Sequence, residues 1–242
     1  MIEVRALSTR EDFQNAVNLQ QTIWGFAEGE LLPVRLFVVA NKIGGQAFGA
    51  FDGDRMIAFC NSLPGLKPGP KSYLHSHMLG VLPEYRNLGV GRALKLAQRE
   101  EALSRHIDLI EWTFDPLELK NAYLNIEKLG AIVRRYAFNQ YGMTSSPLHA
   151  GLPTDRCTAE WWIDSDRVHA AIDGRPVNRP AIEATIDIPL AIGELRKSDP
   201  RQAREIQKTA GERFQKLFDM GLTVIGFERS ETAGSYLLGF SK

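Results

Sequence analysis

One stretch limits what this chain can fold into more than any other: Val81-Leu82-Pro83-Glu84-Tyr85-Arg86-Asn87-Leu88-Gly89-Val90-Gly91-Arg92-Ala93-Leu94. A strand, Tyr73 to Val81, runs into it. A helix leaves it, with Val90, Ala93, Leu94 and Ala97 on one stripe. Between them lies Arg86-x-x-Gly89-x-Gly91. Two glycines let the main chain turn sharply and approach a ligand closely. The turn ends at a helix N-terminus, whose first N–H groups have no partner within the helix. Those donors and the positive end of the helix dipole suit a phosphate or diphosphate. Arg86 and Arg92 add fixed charge beside it. No Gly-Lys-Ser/Thr follows, as an ATPase phosphate loop requires, and neither the third glycine nor the later acid of a dinucleotide site is evident.

The rest of the chain is compatible with one large domain, or one domain and a smaller one, in 242 residues. Lysine plus arginine equals aspartate plus glutamate at 29 each, so there is no basic footprint for nucleic acid. The N-terminus lacks the basic region and apolar run of a signal peptide. Apolar runs such as Leu36 to Ala40 are far shorter than a bilayer span. Cys60 and Cys157 are the only cysteines, which makes neither a disulfide framework nor a zinc site. A cytoplasmic protein without metal, nucleic-acid or membrane partners is therefore expected.

Reading in order, Ile2 to Ala6 is a strand, Ser8-Thr9-Arg10-Glu11 reads as a capping box, and the helix behind it buries Phe13, Ala16 and Val17. A second helix starts at Pro33 and stops at Gly44-Gly45. A hairpin follows, 46–51 and 56–63 around Asp52-Gly53-Asp54. Pro64 to Pro70 reads as a loop. After the central strand, turn and helix come a strand at Leu109 to Phe114, a helix at Leu119 to Lys128, and strands at Ala131 to Tyr141 and Thr158 to Ile163 joined by a Gly-, Pro- and Ser-rich loop.

The glycine block resembles the coenzyme A diphosphate loop of the GCN5-related N-acetyltransferase (GNAT) superfamily, whose Val-x-Pro-x-x-Arg-x-x-Gly-x-Gly pattern is met at every named position. The element order over residues 1–163 agrees. So does Glu127-Lys128-Leu129-Gly130 against the family's Glu-Lys-Leu-Gly-Phe, with Ala131 in place of Phe. The segments His75-Ser76-His77-Met78 and Trp112 to Leu117 are similar to a subgroup of predicted acetyltransferases. The resemblance implies an α+β GNAT fold with a mixed, mostly antiparallel sheet and helices around it. It implies an acyl-CoA N-acyltransferase that moves acetyl from acetyl-CoA to a small amine or amino-acid-like acceptor. A non-catalytic acyl-CoA sensor or structural module on the same fold is the alternative. A homodimer is left open.

The family also implies roles. Main-chain N–H groups near Leu79, Gly80 and Val81 hold the thioester carbonyl, and Arg86, Asn87, Leu88, Gly89, Val90, Gly91 and Arg92 hold the diphosphate. Asn121 bonds the pantetheine arm or the substrate, or caps its own helix. Many relatives carry a base Glu on the strand before the loop, and this chain has none there. His75 and His77 are the substitutes, since an imidazole titrates near neutrality. Strand alternation places Tyr73, His75, His77 and Leu79 on one face. Both histidines can equally be structural. Glu111 is a rival base or an ion-paired acid, and Asp115 is either catalytic or the turn former of Asp-Pro. The tyrosine that serves many relatives as proton donor falls on Ile126, which cannot donate. Tyr123, one turn earlier, is a substitute or plain core packing. Trp161-Trp162 can send at most one ring to a given face.

Residues 164–180 are polar and read as a linker. The remaining 181–242 reads as a β-α-β-β extension, with Ser198-Asp199-Pro200 opening a helix that buries Ala203, Ile206, Ala210, Leu217 and Phe218. It is expected to pack on, or extend, the first sheet.

Overall fold

The computed structural model describes residues 2–67, 71–142 and 151–241. They form two compact units that divide between Glu111 and Trp112.

The first unit begins with β1 (Ile2–Ala6), α1 (Arg10–Trp24) and α2 (Val34–Lys42). Three strands follow, β2 (Gln46–Asp52), β3 (Arg55–Leu66) and β4 (Ser72–Val81). Then come α3 (Val90–Ser104) and the opening residues of β5 (Leu109–Phe114). Strand order is β1-β2-β3-β4-β5, antiparallel up to β4 and parallel between β4 and β5. The capping box falls one residue later than expected, on Thr9 and Asp12. Asp12 wins that role because its carboxylate also receives Arg5 at 2.8 Å, a pairing that holds its pKa well below the usual carboxylate range. The core beneath α1 and α2 is aromatic: Phe13 stacks on Phe37, and Phe37 meets Phe59 edge-on. Each fully buried ring is worth about 2–3 kcal/mol of transfer free energy.

The segment expected as a loop from Pro64 is partly strand, because β3 continues through Pro64-Gly65 to Leu66 against β4. The β2 ladder ends at Ser62, so beyond it β3 has one open side, where a proline is tolerated. Pro68, Gly69 and Pro70 lie outside the described residues.

The second unit contains α4 (Leu119–Tyr123), which runs into a π-helical turn (Leu124–Lys128). It continues with β6 (Ile132–Ala137), β7 (Arg156–Trp162), α5 (Asp166–Asp173), β8 (Ala184–Pro189), α6 (Ile192–Ser198), α7 (Pro200–Asp219), β9 (Thr223–Arg229) and β10 (Ala233–Gly239). Here the order is β7-β6-β9-β10-β8. The C-terminal strands join β6 through the Val133–Val224 pair. β6 is shorter than its expected span, and the Gly-, Pro- and Ser-rich loop lies largely outside the described residues.

Residues 164–180 are not simply a linker. Ser165 caps α5 at Val168 N, and Gly174 ends it in the left-handed region. Gly130 (φ +78°) carries the chain beneath this helix, where a Cβ would stand 3.0 Å from Val168 Cα. α6 has no counterpart in the sequence reading. α7 buries Ala203 and Ala210 as expected, together with Gln207, Gly211 and Phe214, while Ile206, Leu217 and Phe218 are half-buried.

Candidate active site

The corner between β4 and α3 is built from main chain. A short 3₁₀ turn, Pro83–Tyr85, leaves β4 and is pinned by Tyr85 Oη donating to Asp52 (2.9 Å) and Arg55 pairing with Glu84 (2.8 Å). Asn87 (φ +65°) and Gly89 (φ +81°) then both take left-handed backbone, which returns the chain into α3 within three residues. Gly89 is the N-cap and offers no side chain to the first N–H groups of the helix. A Cβ at Gly89 would have nothing within 4 Å, and one at Gly91 would make ordinary contact with Leu79 at 3.5 Å and Val81 at 3.9 Å. Space and donors thus coincide at a helix N-terminus, with Arg86 and Leu88 exposed and Arg92 half-buried beside it.

Hydrogen-bond parity shows where β4 points its backbone. Leu82 N–H donates to Ile57 O at 2.9 Å. Counting back along the antiparallel register, Phe59–Gly80 and Asn61–Met78 are hydrogen-bonded pairs, whereas Ala58–Val81 and Cys60–Leu79 turn their main-chain groups away from β3. Val81 O accordingly receives Arg86 Nε at 3.3 Å. On that outer edge the register with β5 comprises only Leu74–Ile110 and His75–Glu111 among the described residues. Leu79 and Val81 therefore offer N–H groups along an edge whose ladder has ended. Gly80 does not: its N–H faces β3. Its missing side chain matters instead for packing, because a Cβ would come within 2.7 Å of Trp24.

A bulge overturns part of the alternation argument. The β3–β4 register shifts between Asn61–Met78 and Ser62–Ser76, leaving His77 without an opposite residue. On one side of the bulge Ser76 faces α3, where Lys95 Nζ donates to its Oγ at 2.8 Å. On the other side Leu79 faces α3 as well, next to Gly91, while Gly80 faces Ile23 and Trp24 of α1. Leu79 is thus not on the face of His75 and His77. The two histidines do share the α1 face, with ring centroids 6.3 Å apart. Desolvation by surrounding protein lowers the His77 pKa.

That face carries more polar groups. Lys67, from the end of β3, pairs with Glu111, which is only 2% exposed. The Lys67 ammonium lies 5.3 Å from the Tyr73 ring centroid. Asn61, 1% exposed, has neither amide atom hydrogen-bonded within the structure. The α3 face holds a connected network by contrast, in which Gln98 Nε2 is left over. Ser76 Oγ donates to Gln98 Oε1 (3.0 Å), Gln46 Nε2 to Gln98 O (2.9 Å), and Ser62 Oγ to Gln46 Oε1 (3.1 Å). Burial pushes the Lys95 ammonium down to about 7. Lys95 and Gln98 stand on the buried stripe of α3, a position that residue type alone assigns to solvent.

The remaining candidates belong to the second unit. Asp115 is a turn and ion-pair residue: Oδ1 accepts from Leu117 N (2.8 Å), and Oδ2 pairs with Arg196 of α6 at 2.7 Å. Tyr123 is not core packing; it is 37% exposed with the Lys128 ammonium 5.4 Å from its ring centroid. Asn121 is exposed and does not cap α4, whose N-cap is Glu118. Ile126 is buried in the π-helical turn. Trp161 is fully buried and donates to Leu129 O, while Trp162 is half-exposed. Tyr141, not singled out as a site residue in the sequence, hydrogen-bonds its exposed hydroxyl to Thr113 of β5 at 2.9 Å.

Residues 13–130 match the model of the acetyltransferase (GNAT) family. Solved structures agree over most of their own length. The ribosomal-protein-S18-alanine N-acetyltransferase from Escherichia coli is 16% identical with a TM-score of 0.51, covering 76% of this chain and 99% of that one. Arabidopsis thaliana NAA60 in complex with acetyl-CoA is 14% identical with a TM-score of 0.55, covering 68% and 100%. This is the GNAT acetyltransferase fold. An acetyltransferase of the GNAT family from Streptococcus pneumoniae, 14% identical with a TM-score of 0.52, covers 66% of this chain and 98% of its own. Among curated proteins, none matches the chain. Identities this low establish the fold and leave the reaction to be argued from the GNAT corner itself.

Proposed function

We propose that the chain is an acyl-CoA-dependent N-acyltransferase that moves acetyl from acetyl-CoA to a primary amine on a small or amino-acid-like acceptor. The observation that carries this reading is the corner. A left-handed Gly89 opens an uncapped helix N-terminus beside a β4 edge whose Leu79 and Val81 N–H groups have no ladder partner. The bound coenzyme supplies an activated acetyl thioester. The α3 N-terminus and Arg86 would hold its diphosphate, and Val81 and Leu79 would supply N–H groups to its arm and carbonyl. His75 takes a proton from the acceptor's ammonium group. The nitrogen lone pair then forms the N–C bond as the C–S bond breaks. The electron pair leaves with sulfur, and the second amine proton neutralises it. Two buried free thiols, Cys60 and Cys157, support a reducing compartment such as the cytoplasm.

The test is thiol release from acetyl-CoA across a panel of small amines, amino acids and a peptide with an N-terminal alanine. Release with a small amine or amino acid is the expected result. Release with the peptide alone moves the acceptor to a protein N-terminus. Thermal stabilisation by acetyl-CoA without release from any acceptor favours the sensor, which the buried Ile126 would suit. No stabilisation removes both.

A further inference from the structure

Where the β4–β5 ladder ends, His75 and Glu111 are direct Cα partners. Paired residues in a parallel ladder point to the same face, on strands about 4.8 Å apart. That face is the one opposite α3, since Ser76 next to His75 is the residue that meets Lys95. Glu111 is a carboxylate that is 97% sequestered at the side chain, and a surface ion pair would not need such burial. A buried carboxylate beside an imidazole fixes which ring nitrogen keeps its proton and how the ring is turned. Resting on the acyltransferase reading, we propose that Glu111 is a positioning residue for His75: it orients the imidazole toward the acceptor amine, while Lys67 from β3 balances its charge. Among the described residues, His77 of β4 and Glu111 of β5 neighbour His75, with Lys67, just beyond β3, on Glu111 and 5.3 Å from the Tyr73 ring centroid; farther along β4, Ile23 and Trp24 of α1 meet Gly80.

The arrangement makes opposite predictions for its two charged members. A neighbouring anion favours imidazolium and a neighbouring cation disfavours it. Glu111→Gln therefore moves the His75 titration to lower pH, and Lys67→Met moves it to higher pH. The histidine ring resonances report this by NMR without any turnover, and His75→Gln assigns the signal. In kinetics, Glu111→Gln lowers kcat by about tenfold to a hundredfold, and the acid limb of its pH profile moves to lower pH. The KM for acetyl-CoA is unchanged. Lys67→Met, at a partly exposed side chain, gives the second arm should Glu111→Gln fold poorly. Titrations that stay fixed in both variants, or that move in the same direction, overturn the proposal even if the enzyme is active. A chain that binds no acetyl-CoA yet shows the opposed titration shifts retains the His75–Glu111 pair and loses the acyltransferase reading.

Discussion

The two faces of β4 bear the same kinds of side chain to different ends. Toward α3, Ser76 sits in a connected lattice with Lys95, Gln98, Gln46 and Ser62, joined by hydrogen bonds of 2.8–3.1 Å, with Gln98 Nε2 left over. Toward α1, His75, His77 and the Lys67–Glu111 pair accompany an Asn61 amide with no partner. A connected polar network specifies packing, whereas an amide with neither atom paired costs stability. The strand thus carries a connected network on one face and the histidine pair on the other, and the bulge at His77 is where the two interleave.

The largest expected break in that contrast is His75→Ala. It lowers kcat by about 10²–10⁴-fold and leaves the unfolding midpoint and the acetyl-CoA dissociation constant unchanged, as steady-state kinetics, urea titration and calorimetry would read. A comparable loss of stability would mean that the α1 face is as structural as the α3 face.

Lys95→Met probes the α3 face. The folded Lys95 pKa near 7 lies below the ordinary 10.5 because burial penalises the charge. Between about pH 7 and 10.5 the unfolded chain therefore holds a proton that the folded chain has released. Stability rises with pH through that window, by at most about 1.4 kcal/mol per pH unit from this group. Below pH 7 the contribution is flat at its least favourable. Urea unfolding at pH 7, 8 and 9 should show this slope in the wild type and its loss in Lys95→Met, with kcat at pH 7 little altered. Equal slopes in both proteins would contradict the assignment.

Asn61→Leu is the smallest effect and sharpens the contrast most finely. Removing two unpaired buried polar atoms should stabilise the fold by about 1 kcal/mol, measured by urea unfolding, and should lower turnover if the amide serves a bound acceptor. Destabilisation would place Asn61 with the structural set.

Much of this was legible before any coordinates. The corner is made of main chain, so residue order alone declares it: a strand, two glycines at fixed spacing, and a helical stripe. The histidine pair was equally visible. Leu79 was misplaced because one extra residue in β4 reverses the parity, and whether a residue is extra depends on the register against β3, which the strand's own sequence does not contain. Lys95 was hidden because a lysine on a helix reads as solvent-facing until its partner Ser76 is known. The signals for α5 were present in Ser165 and Gly174 but were outweighed by polar composition. The turn role of Asp115 was legible in Asp-Pro, but Arg196, its partner 81 residues away, could not be inferred from the turn.

The claim on which the account turns is that the Gly89 corner grips a diphosphate. Calorimetric titration with acetyl-CoA, and in parallel with S-acetyl-pantetheine, which keeps the thioester and arm but lacks the diphosphate, tests it most directly. The account predicts saturable binding of acetyl-CoA, at least about tenfold weaker binding of S-acetyl-pantetheine, and loss of that difference in Gly89→Val, where a β-branched residue is forced to φ +81°. Equal affinity for the two compounds in the wild-type protein, or no heat with either, would contradict it.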